Sequence, residues 1–295
     1  MTAAPDSRAG LRFAAGELAG ALPPLLAAAE QLAATVMLGE HGRRRAGTGD
    51  EFWQYRPAHP ADPVRLIDWR RSARSDTHFV REREWQAAQS VSFWVDGGRS
   101  MAYSGARGRP QKAARARLLG MALAVLLVRA GERVGTAGGD LPPRSGQAQL
   151  LPLASAFLRD DGADYAVPAV AEIPAHSRMV MLSDFLGDIA ATEAAVARAA
   201  DRGVRGLLIQ VLDPAEESFP FDGRTIFESM GGGMRHESLR AGDLRARYRA
   251  RLDERKGRLE TLARRTGWHW HCHHTDAPAL GVLSWAWHAL DGARR

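Results

Sequence analysis

The stretch VSFWVDGGRSM, residues 91–101, decides the fold of this chain. Its apolar run predicts a short strand that ends at Asp96. The two glycines that follow predict a tight loop. An alanine- and leucine-rich helix is then predicted from Lys112 to Arg129, with Gly131 ending it. A strand, a loop that begins with a carboxylate, and a helix indicate an α/β architecture.

Two further apolar runs, at residues 178–185 and 204–213, predict strands that alternate with helices. The helices predicted before, between and after them cover residues 149–158, 190–200 and 243–265. Because the strands are apolar on both faces, helices must cover both sides of the sheet. We therefore predict a doubly wound, mostly parallel α/β sheet over residues 90–295. Residues 1–89 are predicted to form a small N-terminal subdomain of one helix and short strands.

Three aspartates follow the predicted strands at the points where the apolar runs end. They are Asp96, Asp184 and Asp213. Ligands of doubly wound sheets gather at the carboxyl ends of the strands. The sequence therefore predicts that at least the first two aspartates lie together on one rim of the sheet.

Composition and charge limit the function classes. The chain has 295 residues, a formal net charge of +6 and an isoelectric point of about 10.2. Such a charge suggests nucleic acid as a partner, but the arginines are spread among acidic residues, and no nucleic-acid binding is predicted. Cys272 is the only cysteine, which excludes an internal disulfide. No Walker loop, nucleophile elbow or zinc-protease helix occurs in the sequence, so no enzyme class is favoured.

The sequence gives no sign of a membrane or secretory protein. Its longest uncharged apolar run, Leu118–Val128, is too short to span a bilayer, which requires about 20 residues. The N-terminus lacks the basic start and apolar stretch of a secretion signal. We predict a cytoplasmic protein without membrane insertion.

The loop after Asp96 resembles the metal-ion-dependent adhesion motif of von Willebrand factor A-like domains, written Asp-x-Ser-x-Ser. The resemblance implies a magnesium site formed by Asp96, Ser100 and Asp184, with Ser145 as a candidate for the threonine of a further loop. Gly98 carries no oxygen where the motif has its first serine, and Arg99 adds a positive charge. A metal-free loop is therefore favoured over a weakly bound magnesium ion, and no other cofactor is predicted.

Two segments resemble the signature of the bacterial family known as domain of unknown function 58. They are ADPVRLIDWRRSAR (residues 61–74) and QVLDPAEESFPFDGRTIFE (residues 210–228). In this family the first segment precedes a von Willebrand factor A-like domain. Its members are usually encoded beside MoxR-type AAA+ ATPases and membrane-anchored A-domain proteins. The resemblance thus implies non-enzymatic protein binding in a chaperone or assembly complex.

The charged residues around Trp69 in the first segment have two interpretations. In the favoured one, Asp68 and Arg74 pair and lock the N-terminal subdomain against the α/β domain, with Trp69 as an apolar anchor. In the other, Arg65 and Arg74 form a recognition surface for an acidic partner.

Two other clusters suggest chemistry but have simpler explanations. WHWHCHHTD (residues 268–276) is histidine-rich, yet neighbours on one strand are poorly placed to surround a zinc ion, so a sheet strand is favoured. Asp213 and Glu216 suggest an acid pair for hydrolysis, but Asp213 before a proline more simply ends a strand. A magnesium-dependent hydrolase and a nucleic-acid binder remain the alternative functions.

Overall fold

The computed structural model describes residues 22–37, 52–59, 64, 67–73, 77–83, 88–168, 170, 173–230, 232–233 and 235–291. These residues divide into two compact units. One comprises the described parts of Met1–Gly39 and Gln89–Arg295, and the other those of Glu40–Ala88.

The described strands are β1 (Phe52–Pro57), β2 (Phe79–Arg83), β3 (Ser90–Val95), β4 (Arg133–Thr136), β5 (Arg178–Ser183), β6 (Arg205–Leu212), β7 (Thr225–Glu228), β8 (Arg235–Ser238) and β9 (His269–His274). The described helices are α1 (residues 22–37), α2 (Trp69–Ser72), α3 (Lys112–Arg129), α4 (Leu150–Phe157), α5 (Ile189–Asp201), α6 (Pro214–Ser218), α7 (Arg245–Thr266) and α8 (Ala279–Asp291).

The larger unit is built on a five-stranded sheet in the order β4-β3-β5-β6-β9. Each pair of neighbouring strands in it is parallel. The apolar residues of β5 and β6 are buried on both faces of the sheet, as expected when helices cover both sides. The predicted doubly wound, mostly parallel α/β fold is therefore confirmed.

Two hydrophobic cores lie on opposite faces of the sheet. One contains the buried residues of α1, α3, α4 and α8, and the other those of α5 and α7. Helix α3 packs closely on the sheet because Gly120 has no side chain. A Cβ atom there would lie 3.1 Å from the Phe157 ring and 3.3 Å from Val95 Cγ2.

Helix α1 belongs to the unit of the sheet. Its buried residues Ala29, Ala33 and Val36 are part of the same core as α3 and α8. The sequence groups this helix with the N-terminal segment because it precedes the charged region in the chain. The structure instead places it over the sheet, where its apolar face is covered, so the smaller unit starts at Glu40.

The chain changes direction in the sheet between β3 and β5. After β3 it continues to β4 on one side and then returns to add β5, β6 and β9 on the other side. The helices that follow β3 and β5 pack on opposite faces, and such a switch point leaves a crevice at the carboxyl ends of the two strands. Asp96 and Asp184 directly follow β3 and β5 at this end of the sheet.

A hairpin of β7 and β8 follows α6 and is antiparallel. Phe219 at the end of α6 contacts the rings of Phe221, Phe227 and Tyr248, with centroid distances of 5.0–5.7 Å. This aromatic cluster connects the FPF segment (residues 219–221) to α7.

The smaller unit contains the antiparallel pair β1 and β2 and the single-turn helix α2. The Ser72 hydroxyl donates to the Asp68 carbonyl and accepts a hydrogen bond from the Phe79 amide. These bonds attach α2 to the start of β2. Over the described parts of both units, no helix is long and apolar enough to cross a lipid bilayer.

Candidate functional site

The candidate site is the rim at the carboxyl ends of β3, β5 and β6. Asp96, Asp184 and Asp213 follow these strands, and at most 2% of any of them is exposed. The predicted rim is thus formed, but its carboxylates are buried. Buried carboxylates are costly unless hydrogen-bonded or paired with a positive charge, so their partners determine what the rim can do.

The central partner is the ammonium group of Lys112. Its Nζ lies 2.8 Å from Asp184 Oδ2 and 2.6 Å from Glu216 Oε1. The Lys112 side chain is only 1% exposed. It also lies over the Tyr103 ring, 5.7 Å from the centroid. We call Lys112, Asp184 and Glu216 the closed cluster.

The closed cluster keeps its charges inside the protein. Burial alone would lower the pKa of Lys112, but Asp184 and Glu216 outweigh it and hold that pKa above its usual range. Burial raises the pKa of Glu216, although Lys112 opposes this shift. The lysine is therefore a permanent cation at neutral pH, neutralised by the two carboxylates.

Asp96 lies in a different environment, where no cation among the described residues contacts its carboxylate. Its Oδ1 accepts a hydrogen bond from the Gly98 amide at 2.7 Å, and its Oδ2 accepts one from the Ser183 hydroxyl. Burial raises the pKa of Asp96 to about 6, and the negative charge of Asp184 adds to this effect. Asp96 is thus the rim carboxyl that titrates just below neutral pH.

Asp213 is fixed by several donors at once. Arg109 Nη1 lies 2.7 Å from its Oδ1, and the amides of Gly105 and Ala215 donate to it at 3.0 and 2.8 Å. The carboxylate also caps α6 in a capping box with Glu216. Burial disfavours the charged form, but these donors outweigh it and lower the pKa of Asp213. Asp213 is therefore held as a structural carboxylate.

The residues of the rim do not fit a magnesium ion. Magnesium requires about six oxygen ligands in octahedral geometry. One Asp184 oxygen binds the Lys112 ammonium, and both Asp96 oxygens accept hydrogen bonds from the protein. The Lys112 ammonium already occupies the position beside Asp184 Oδ2 that an ion would take. The lysine thus supplies a positive charge where the resemblance to adhesion domains implies an ion.

The remaining residues of the expected metal loop lie close by but are not arranged as ligands. Ser100 is buried in a short 3-10 turn, and its Oγ has no hydrogen-bond partner among the described residues. Arg99 is exposed, and its backbone amide donates to the Ala163 carbonyl. Ser145 is exposed between β4 and α4. The structure therefore does not place Arg99 as the cation that neutralises the buried carboxylates.

The rim lies within a segment of the chain that matches a known protein family. The sequence model of the family described as "Protein of unknown function DUF58" matches residues 54–258. The chain belongs to this family. The match covers the charged segment around Trp69, the whole rim and most of α7, so the DUF58 resemblance found in the sequence is confirmed.

Among solved structures, this chain shows a weak similarity to a bacterial protein. It is the "crystal structure of conserved hypothetical protein BatB from Bacteroides thetaiotaomicron", with 12% identity and a TM-score of 0.38. The alignment covers 70% of this DUF58 chain and 100% of the BatB chain. Comparison with curated proteins gives no match.

The DUF58 signature residues of the smaller unit are described in part. The backbone amide of Asp68 donates to the Phe79 carbonyl at 2.8 Å, which ties this residue to β2. Trp69 is 55% exposed, and its ring edge packs on His78. Arg65 and Arg74 lie outside the described residues. Their roles, like that of Trp69 as an anchor, stay predictions.

Sequence analysis missed Lys112 and Glu216 as members of the rim. Lys112 is the first residue of α3, where the positive end of the helix dipole disfavours a cation. It is also one of only two lysines among 40 basic residues. A lysine at an unfavourable helix position in an arginine-rich chain is the signal from which the closed cluster could have been predicted.

Proposed function

We propose that this DUF58 protein is a non-enzymatic protein-binding module that works in a complex with a MoxR-type AAA+ ATPase. The contact face would be the loops above the sheet rim, and binding would not need a metal ion. The observation that carries the proposal is the closed cluster, in which a buried lysine binds Asp184, one of the two carboxylates that would otherwise hold an ion.

The burial of the rim argues against acid–base catalysis there. A catalytic acid or base must come within hydrogen-bond distance of its substrate. Lys112 is 1% exposed, and its ammonium is already bound by two carboxylates. Asp213 is bound by Arg109 and backbone amides. Because these groups are buried and bound by other protein groups, we assign them a structural role in supporting the loops above the rim.

The surroundings of the rim have the composition of a binding surface. Three of the four tyrosines of the chain lie around the closed cluster, namely Tyr103, Tyr165 and Tyr248. Burial raises the pKa of each, and the rim carboxylates add to the shift. Tyr165 is 37% exposed. Tyrosine and arginine are enriched at the centres of protein interfaces, and Arg99 is exposed on the adjoining loop.

The partner group expected at Arg99 is a carboxylate. In adhesion domains of the resembling kind, a ligand carboxylate completes the coordination of the metal ion. Without an ion, an exposed guanidinium can bind such a carboxylate directly through two parallel hydrogen bonds. The proposal therefore names an acidic segment of the partner as the group that binds at Arg99.

The test measures binding between the purified chain and a MoxR-type AAA+ ATPase of the same organism. We expect Arg99→Ala to weaken binding by 1–2 kcal/mol, which is about 5- to 30-fold. Arg198→Ala, which removes an exposed arginine on α5, is the matched control and should bind like the wild type. Binding by the wild type should be the same with magnesium and with a chelator.

Three results would overturn the proposal. The first is an affinity unchanged in both Arg99→Ala and Tyr165→Ser. The second is binding that requires magnesium. The third is magnesium-dependent turnover in a hydrolase screen that is lost in Asp184→Asn.

A further inference from the structure

A second polar cluster lies at the same end of the sheet, beside β9. It consists of Glu217, Cys272 and His274, whose ligand atoms all lie within 4.8 Å of one another. We call it the open cluster because its side chains are partly exposed, with His274 at 31% and Glu217 at 33%. The adhesion-motif resemblance and the proposed function do not involve these residues.

Strand and helix geometry bring the three side chains together from two segments. Cys272 and His274 are two residues apart on β9, so they point to the same face of the sheet. In the register of β6 and β9, Leu212 is opposite His274. Helix α6, which carries Glu217, begins two residues after Leu212. A strand alone is a poor zinc site, but here the second segment supplies the missing ligand.

The open cluster brings ligand-type atoms from two segments into contact. His274 Nε2 lies 2.8 Å from Glu217 Oε2. This is the separation of an ordinary ion pair, although Nε2 has no hydrogen-bond partner of suitable geometry among the described residues. Two ligands of one tetrahedral ion, each about 2.0–2.1 Å from it, lie about 3.3 Å apart, so these two side chains would have to separate slightly to admit an ion.

A positive charge already lies against the open cluster. The Lys256 ammonium contacts Glu217 and is hydrogen-bonded to Cys272. Lys256 is carried by α7 and its side chain is 20% exposed, so it can turn into solvent without unfolding its helix. The position between the Glu217 carboxylate and the Cys272 sulfur therefore suits a cation. The Lys256 ammonium that lies there can be exchanged for another cation.

We propose that Glu217, Cys272 and His274 bind a divalent transition-metal ion of the zinc class. Thiolate, imidazole and carboxylate are the ligands that zinc uses in proteins. Binding would release the thiol proton of Cys272 and displace the Lys256 ammonium. The fourth position would face the open cleft lined by Pro214, Glu217, Ser218, Arg249, His274 and Asp276.

Cobalt(II) titration of the purified full chain tests the site. Cobalt replaces zinc in such sites and gives a cobalt–thiolate absorption band, and Cys272 is the only thiol in the chain. We expect one equivalent of cobalt to produce this band and zinc to remove it. Glu217→Gln and His274→Gln should each weaken binding at least about tenfold. Lys256→Gln should tighten it severalfold, because a competing charge is removed.

The control is His269→Gln, which changes an exposed histidine on the same strand and should leave the affinity unchanged. Alkylation of Cys272 in the wild-type chain gives a second readout, because bound zinc should protect the thiol from the alkylating reagent. The proposal is overturned if the folded wild type gives neither the thiolate band nor zinc protection. It is equally overturned if Glu217→Gln and His274→Gln bind cobalt as tightly as the wild type.

Discussion

The two lysines of this chain occupy two neighbouring clusters that differ in their access to water. Lys112 lies between Asp184 and Glu216 and is 1% exposed. Lys256 lies against Glu217 and Cys272 and is 20% exposed. The acceptors Glu216 and Glu217 are consecutive residues of α6, so one short helix serves both clusters. The comparison teaches that a lysine–glutamate contact is a fixed part of the core in the closed cluster and an exchangeable contact in the open cluster.

The choice of lysine at both places has a physical reason. The other 38 of the 40 basic residues are arginines, so lysine is rare in this chain. An ammonium group is compact and can approach carboxylates from several directions, whereas a guanidinium is planar and needs more space. The buried position between Asp184 and Glu216, where one ammonium contacts both carboxylates, therefore favours lysine over arginine.

The largest expected effect comes from removing each lysine in turn. Lys112→Met leaves Asp184 and Glu216 buried without a cation, which should reduce the free energy of unfolding by about 3–5 kcal/mol. Lys256→Met breaks a partly exposed contact and should cost about 1 kcal/mol or less. Denaturant unfolding at neutral pH measures both values.

If Lys112→Met does not fold, the double variant Lys112→Met/Asp184→Asn removes one uncompensated charge and should recover part of the loss. Equal costs for Lys112→Met and Lys256→Met would show that the two clusters do not differ as described.

A smaller effect should follow from the titration of Asp96 beside the closed cluster. Its pKa is raised from 3.8 to about 6, so the folded protein holds this proton more tightly than the unfolded chain. Stability from this group is therefore lost as the pH rises from about 4 to 6. Asp96→Asn should gain about 2 kcal/mol relative to the wild type between about pH 4 and pH 7.

Unfolding curves at several pH values measure this difference. Asp253→Asn, which replaces an exposed carboxylate on α7, reports what such a substitution does at the surface. A stability difference between wild type and Asp96→Asn that does not change with pH would contradict the prediction.

The smallest expected effect is that of magnesium on the wild type. Any ion that binds only the folded state raises the melting temperature. Since the Lys112 ammonium occupies an Asp184 oxygen and both Asp96 oxygens accept hydrogen bonds from the protein, millimolar magnesium should leave the melting temperature unchanged, whereas zinc should raise it through the open cluster. A magnesium-dependent increase that disappears in Asp96→Asn would show that the rim binds the ion after all.

Much of the fold could be predicted because it depends on local patterns. The apolar run before Asp96 and the apolar stretch of α3 each identify their element without any distant contact. The rim of aspartates could also be predicted, since the ends of parallel strands meet at one edge. The position of α1 could not be predicted, because an alanine-rich helix fits either unit and only packing on α3 and α8 decides.

The partners inside the site depend on contacts between distant segments. Lys112 reaches Asp184 across 72 positions and Glu216 across 104 positions of the chain. The alternation along β9 correctly places Cys272 and His274 on one face, but the approach of Glu217 depends on how α6 leaves β6. The sequence thus specifies which residues line the rim, and tertiary packing specifies which of them pair.

The all-parallel sheet has a consequence for the order in which the molecule assembles. Strands that run in the same direction cannot be joined by a tight turn, so β3 meets β5 only after a long intervening stretch has collapsed. The ion cluster around Lys112 draws on three such stretches and cannot exist in a half-folded chain. In that chain the lysine and its carboxylates stay hydrated and cost nothing. We therefore expect the burial of these groups to come late in folding, once the stretches that carry them have met.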